Sequence, residues 1–189
     1  LPHRGLMRTH MVGGPHAVTD SAAAATAIAT GHKVAKRVLS VRRPGDGEPL
    51  ETVLERLQKR GRRTGLVSTS TMTHATPAGF ASHAEMRYEY TNIARQMLRE
   101  VRPNVLFGAA GARGENQLGV TPEKARAAGY RVVTDYDQLR ALDPAKVHHV
   151  SGHVEGHHPK VACLPGLVPA LAGRLVHLSP GASAGSRSR

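Results

Sequence analysis

Apolar residues along the chain recur with two different spacings. Helical spacing, with apolar positions three and four residues apart, predicts two amphipathic helices, at residues 50–60 and 90–101. Short runs of β-branched and apolar residues predict strands at residues 64–70, 104–107 and 130–134. Two further short helices are predicted at residues 121–128 and 135–142, each beginning at a capping Thr or Asp. Such alternation is typical of parallel βαβ units, so we expect an α/β fold with a mostly parallel sheet and helices on both faces.

The most regular helical signal is an alanine-rich run at residues 22–29. Asp20 is a preferred helix N-cap, alanine has the highest helix propensity, and Gly31 stands where a glycine commonly ends a helix. Ser21 is therefore expected at the amino end of this helix, where unpaired N–H groups and the helix dipole favour anions such as phosphate. A serine at this position can also be a capping residue and nothing more.

The composition indicates one globular domain. The chain has 189 residues, of which 40% are hydrophobic and 21% charged, but only 3% are aromatic, so its core is expected to consist of Ala, Val and Leu. A single cysteine, Cys163, allows no internal disulfide. We expect no signal peptide at the start, and no transmembrane segment at residues 161–178, because Pro165, Pro169 and Arg174 interrupt that apolar stretch.

The formal net charge of +12 raises the question of a polyanionic partner. The basic residues are scattered and are not interleaved with aromatic residues that could stack on bases, so no specific nucleic-acid partner is expected. Six of the twelve histidines lie between residues 148 and 177, and HVEGHH at residues 153–158 is a weak metal-binding pattern. A noncatalytic, basic, His-rich protein that binds polyanions or metals therefore stays open as an alternative.

The alternating pattern ends after residue 142. The remaining sequence is His-rich and then rich in Gly, Ser, Ala and Arg. We therefore divide the chain into a core, residues 1–142, and a divergent, poorly ordered tail, residues 143–189.

Two segments resemble the alkaline phosphatase family. TDSAAAATA at residues 19–27, followed by TGHK at residues 30–33, resembles the nucleophile segment of that family. GLVSTSTMTHATPAGFASH at residues 65–83 resembles its second signature, and Arg87 stands where the family has a phosphate-binding arginine. The resemblance extends over about residues 1–142. It implies part of a three-layer sandwich that hydrolyses phosphate monoesters through a phosphoserine intermediate at a zinc and magnesium site.

The resemblance also implies roles for five residues. Ser21 would be the nucleophile and a zinc ligand, and Arg87 would bind two phosphate oxygens while Asp20 holds its guanidinium in place. Thr76 matches a magnesium ligand, and His74 would act on magnesium through water. The other metal ligands of the family have no counterpart in residues 1–142, so we expect the chain to be incomplete at both ends and do not expect it to assemble the whole metal site by itself.

Other expectations follow from the family only in general terms. A related phosphodiesterase or sulfatase of the same superfamily stays open as an alternative. Members of the family are typically homodimers, and they are periplasmic, secreted or membrane-anchored. The residues of this chain do not assign a compartment. His83 has no role in the family that could be transferred, so a surface or core position is expected for it.

Overall fold

The computed structural model describes residues 8–14, 16–109, 119–143 and 146–154. Within these ranges the helices are α1 (Ser21–Thr30), α2 (Val53–Lys59), α3 (Ala75–Ala81), α4 (Tyr90–Arg95), α5 (Pro122–Ala127) and α6 (Tyr136–Arg140). The strands are β1 (Gly65–Thr71), β2 (Val105–Ala109), β3 (Arg131–Val133) and β4 (Val150–Val154). They form one parallel sheet in the order β1-β2-β4-β3, which confirms the predicted α/β fold.

Strand β4 was not predicted from the sequence. It lies between β2 and β3, and Val150 pairs with Val105 on one side and with Arg131 on the other. The regular pattern therefore continues past residue 142, where it was predicted to end, because these five residues complete the middle of the sheet. The division into a core and a tail otherwise stays a prediction, since residues 155–189 lie outside the described ranges.

Apolar side chains pack on both faces of the sheet. On one face Leu106 joins a buried cluster with Ala78 of α3, Ile93 of α4 and Ala125 of α5. On the opposite face Leu139 of α6 contributes to a smaller cluster, formed with Val105, Phe107, Val133 and Val150. Helices therefore cover both faces, as predicted for a three-layer arrangement.

The small residues of α1 allow a close approach to α3. A Cβ added at Gly79 would lie 2.8 Å from the Cβ of Ala25, so the helices are too close for a larger residue there. Thr26 is fully buried, and its hydroxyl accepts a hydrogen bond from the Ser40 backbone at 2.9 Å. Ser40 Oγ donates in turn to the Gly79 carbonyl at 2.6 Å. This packing fixes α1 against α3.

The ends of the helices follow local capping signals. Asp20 accepts a hydrogen bond from the Ala23 N–H at 3.1 Å, and Gly31 caps the other end of α1, as predicted. Helix α2 begins at Val53 rather than at residue 50, because Thr52 and Glu55 form a reciprocal capping box. The helix predicted at residues 90–101 is α-helical only to Arg95 and continues as a π-helical turn over Gln96–Glu100.

Among the described helices, none has the length and apolar character that a membrane crossing would require. The predictions for residues 161–178, for Cys163 and for the low-complexity end concern residues outside the described ranges. The same is true of residues 1–7.

Candidate active site

Ser21 is the first residue of α1, and its hydroxyl contacts a distant arginine. Arg87 Nη1 donates a hydrogen bond to Ser21 Oγ at 2.5 Å. The Arg87 backbone is fixed as well, because its N–H donates to the Arg37 carbonyl at 2.8 Å. The serine hydroxyl is therefore placed both at the positive end of a helix and beside a guanidinium group, an arrangement that favours negative charge.

The same guanidinium group contacts two more of the residues singled out from the sequence. Arg87 Nη1 lies 3.4 Å from Asp20 Oδ2, and Arg87 Nη2 lies 3.2 Å from His74 Nε2. The side chains of Arg87 and Asp20 are each only 15% exposed, so solvent screens their ion pair weakly. The structure thus brings Asp20, Ser21, His74 and Arg87 into one cluster.

Asp20 is held by the backbone as well as by Arg87. Its Oδ1 accepts hydrogen bonds from the N–H groups of Ala23 and Arg37, both at 3.1 Å. Partial burial alone would raise the pKa of Asp20, but the backbone donors and Arg87 outweigh burial and lower it. Asp20 is therefore an ionised carboxylate that both caps α1 and orients Arg87.

Thr76 lies two residues after His74. His74 is the residue before α3 and reaches Arg87, whereas Thr76 lies in the first turn of that helix and is exposed. Within the described part of the chain, no hydrogen bond joins the Thr76 side chain to Ser21, Asp20 or Arg87. The predicted magnesium role of Thr76 stays a prediction.

The described residues do not supply a metal centre. No group of three or more His, Cys, Asp or Glu residues within the described ranges is placed to hold an ion. His153, from the HVEGHH pattern, lies in β4 at 2% exposure, and its Nε2 is 3.0 Å from Ser151 Oγ. Burial lowers the pKa of His153 to about 4. The described residues therefore do not by themselves form the zinc and magnesium site that the resemblance implies.

His83 has a structural environment away from this cluster. Its Nε2 lies 3.0 Å from Glu55 Oε1, and its Nδ1 lies 2.8 Å from the Ser40 carbonyl. Its side chain is 16% exposed, in agreement with the expectation of a core or surface position. Burial alone would lower the pKa of His83, but the Glu55 carboxylate and the Ser40 carbonyl raise it overall.

Two residues beside the cluster were missed by sequence reasoning. The guanidinium carbons of Arg37 and Arg87 lie 5.8 Å and 5.7 Å from the centroid of the same ring, that of Tyr88. An aromatic residue directly after Arg87, in a chain with few aromatics, was the available signal for Tyr88. Nothing in the local sequence marks Arg37, which reaches the site through a turn of the backbone.

A serine at a helix amino terminus, contacted by a largely buried arginine beside a parallel α/β sheet, defines an anion-binding class of α/β protein. Comparison with known proteins narrows this class. A model of the alkaline phosphatase family matches residues 1–108. The chain therefore belongs to the alkaline phosphatase family.

Individual relatives agree with this assignment. Alkaline phosphatase 3 of Bacillus subtilis is 38% identical over 132 residues, which are 67% of this chain and 28% of that protein. The cold-active alkaline phosphatase of Shewanella sp. has 32% identity and a TM-score of 0.68, over 83% of this chain and 37% of that structure. A mutant of the alkaline phosphatase of the Antarctic bacterium TAB5, solved with Mg bound, has 22% identity and a TM-score of 0.68, and shares the fold. The similarity to this mutant extends over 92% of the present chain and 49% of the mutant's chain. The chain spans 28% of the length of Alkaline phosphatase 3 and 30% of the length of Alkaline phosphatase 4 of Bacillus subtilis, which is roughly a third or less of each protein.

Proposed function

We propose that this chain carries the nucleophile and phosphate-binding part of an enzyme that hydrolyses phosphate monoesters, with Ser21 as the nucleophile. The observation that supports this proposal is the 2.5 Å hydrogen bond from Arg87 Nη1 to Ser21 Oγ at the amino end of α1. A free serine hydroxyl is a poor nucleophile at neutral pH, so its developing negative charge must be stabilised. Arg87 and the N–H groups of the first turn of α1 both favour that charge.

In the proposed reaction Ser21 Oγ forms a bond to phosphorus while the bond from phosphorus to the ester oxygen breaks. The serine proton is transferred overall to the alcohol that leaves. Water then cleaves the bond between Oγ and phosphorus, which restores the serine hydroxyl and releases inorganic phosphate. Arg87 orients the phosphate through its planar pair of N–H donors, and Asp20 orients Arg87.

Zinc and magnesium are proposed as cofactors of the complete site on the strength of the family resemblance. The magnesium-bound TAB5 structure agrees with the magnesium part of this proposal. Ser21 would contribute to zinc binding, Thr76 to magnesium binding, and His74 to magnesium binding through water. Since the described residues do not form a ligand set for either ion, no step of the reaction above is assigned to a metal.

Trapping of the phosphoserine tests the role of Ser21 directly. A chain completed with the additional segments of a full-length family member is incubated with inorganic phosphate at acidic pH, with zinc and magnesium added, and is then quenched and mapped by peptide mass spectrometry. We expect one phosphoryl group on the peptide that contains Ser21, and its loss in Ser21→Ala. Ser68→Ala, which removes a hydroxyl from β1 away from the site, serves as the matched control and should retain the label.

Two outcomes would contradict the proposal. One is phosphate labelling that persists in Ser21→Ala. The other is an unlabelled Ser21 when phosphorus NMR shows that phosphate is bound. Assays of phosphate diesters and sulfate esters beside monoesters test the phosphodiesterase and sulfatase alternatives, and light scattering tests the expected homodimer.

A further inference from the structure

Arg37 has an unusual backbone conformation next to the candidate active site. Its φ angle is 69°, in the left-handed region that residues other than glycine rarely adopt. The Arg37 N–H donates to Asp20 Oδ1 at 3.1 Å, and its carbonyl accepts the Arg87 N–H at 2.8 Å. Strained residues of this kind persist where the surrounding contacts hold them, and they cluster at functional sites. Arg37 is thus fixed between two residues of the cluster.

The side chain of Arg37 extends the positive charge of the site to its exposed rim. Arg37 is exposed, and its guanidinium contacts the ring of Tyr88, a residue that is 52% exposed. Arg87 contacts the same ring, and its own charge is paired with Asp20. Among the described carboxylates, none forms an ion pair with the Arg37 guanidinium. An exposed planar guanidinium without a carboxylate partner among the described residues is suited to bind a phosphate or carboxylate group of a ligand.

We propose that Arg37 and Tyr88 form a second anion subsite, and that the enzyme prefers phosphate monoesters that carry another anionic group several bonds from the ester. This inference rests on the proposed function, because Ser21 and Arg87 must hold the first phosphate. Arg37 then binds the second anion, and Tyr88, whose ring lies near both guanidinium groups, contacts the part of the substrate between the two anions.

A series of nonhydrolysable ligands tests the subsite on the 189-residue chain. Linear alkane bisphosphonates of increasing length are compared by calorimetry with alkyl monophosphonates of equal length. We expect at least one bisphosphonate to bind about five- to tenfold more tightly than its matched monophosphonate, as one additional charge-assisted contact at an exposed site allows.

Substitutions of Arg37 distinguish the contribution of its side chain from that of its backbone. Arg37→Gly should abolish the bisphosphonate gain, and because glycine adopts a positive φ without strain, its melting temperature should be unchanged or higher. Arg37→Lys should retain part of the gain. Lys36→Ala, which removes a neighbouring exposed charge, is the matched control and should retain all of it.

The possible results distinguish this inference from the proposed function. Monophosphonate binding that is lost in Arg87→Ala, without any gain for a bisphosphonate, would overturn the second subsite alone. A gain that survives in Arg37→Gly would overturn the role of Arg37. Absence of binding by every phosphonate would overturn the proposed function, and the second subsite with it.

Discussion

Arg87 donates a hydrogen bond to the hydroxyl of Ser21 at 2.5 Å, although the two residues are 66 positions apart in the chain. The contact links the amino end of α1 to the loop between α3 and α4. Asp20, the residue before Ser21, pairs with the same guanidinium nitrogen. One helix end therefore provides the reactive hydroxyl and the carboxylate that holds its arginine partner.

Asp20 is predicted to support both the fold and phosphate binding. Asp20→Ala removes the acceptor for two backbone N–H groups and the partner of Arg87, so we expect the free energy of unfolding to fall by about 1–2 kcal/mol. Asp20→Asn retains a capping acceptor and should recover most of this loss. Because Arg87 is then no longer oriented by a charge, phosphate should still bind more weakly to Asp20→Asn. Urea unfolding and phosphate titration measure the two effects.

Asp135 provides the matched control for this experiment. It caps α6 by accepting a hydrogen bond from the Gln138 N–H at 2.8 Å. Asp135→Ala should lower stability through the loss of a helix cap but leave phosphate affinity unchanged. Equal phosphate affinity of the wild type and Asp20→Asn would show that the charge of Asp20 does not orient Arg87.

The contact between Glu55 and His83 is predicted to make stability depend on pH. Burial alone would raise the pKa of Glu55, but His83 and the Thr52 N–H lower it from 4.5 to about 2, whereas the pKa of His83 is raised above 6.5. The Glu55 contribution is therefore complete above pH 4.5 and decreases as the pH falls towards 2. The His83 contribution is complete below pH 6.5 and is lost as the pH rises through the pKa that His83 has in the folded protein.

Glu55→Gln tests this contact without removing the capping box. The Gln side chain can still accept the Thr52 N–H, so the variant changes mainly the charge. We expect a loss of stability on the order of 2 kcal/mol, largest between pH 4.5 and 6.5 and smaller on either side. Glu51→Gln removes an exposed carboxylate and should change stability little. A loss for Glu55→Gln that does not vary with pH would contradict the predicted ion pair.

Gly152 is predicted to be required for the packing of β4. A Cβ at this position would collide with the ring of Phe107 on the neighbouring strand. Gly152→Ala should therefore lower the free energy of unfolding by about 1–3 kcal/mol through overpacking. Phe107→Leu in the same chain should recover part of the loss, because it makes room for the added methyl group. Unchanged denaturant unfolding of Gly152→Ala would show that β4 does not pack against Phe107.

Local signals predicted most of the helices and three of the four described strands. Capping residues such as Asp20 and Thr121 act over three or four residues, so the amino-acid sequence alone is enough to recognise them. Strand β4 escaped prediction because VSGHV is short and contains glycine and histidine. Its place in the sheet depends on pairing with β2 and β3, which lie elsewhere in the chain.

The sequence by itself determined the helix that carries Ser21, the alternating α/β pattern and the membership of the alkaline phosphatase family, because these depend on local residue order. Only the tertiary structure decided that Arg87 contacts Ser21 and that Arg37 adopts a left-handed conformation between Asp20 and Arg87. These relationships join residues that are distant in the chain. Their geometry depends on the packing of whole elements, above all of α1 on α3, and local propensity does not specify it.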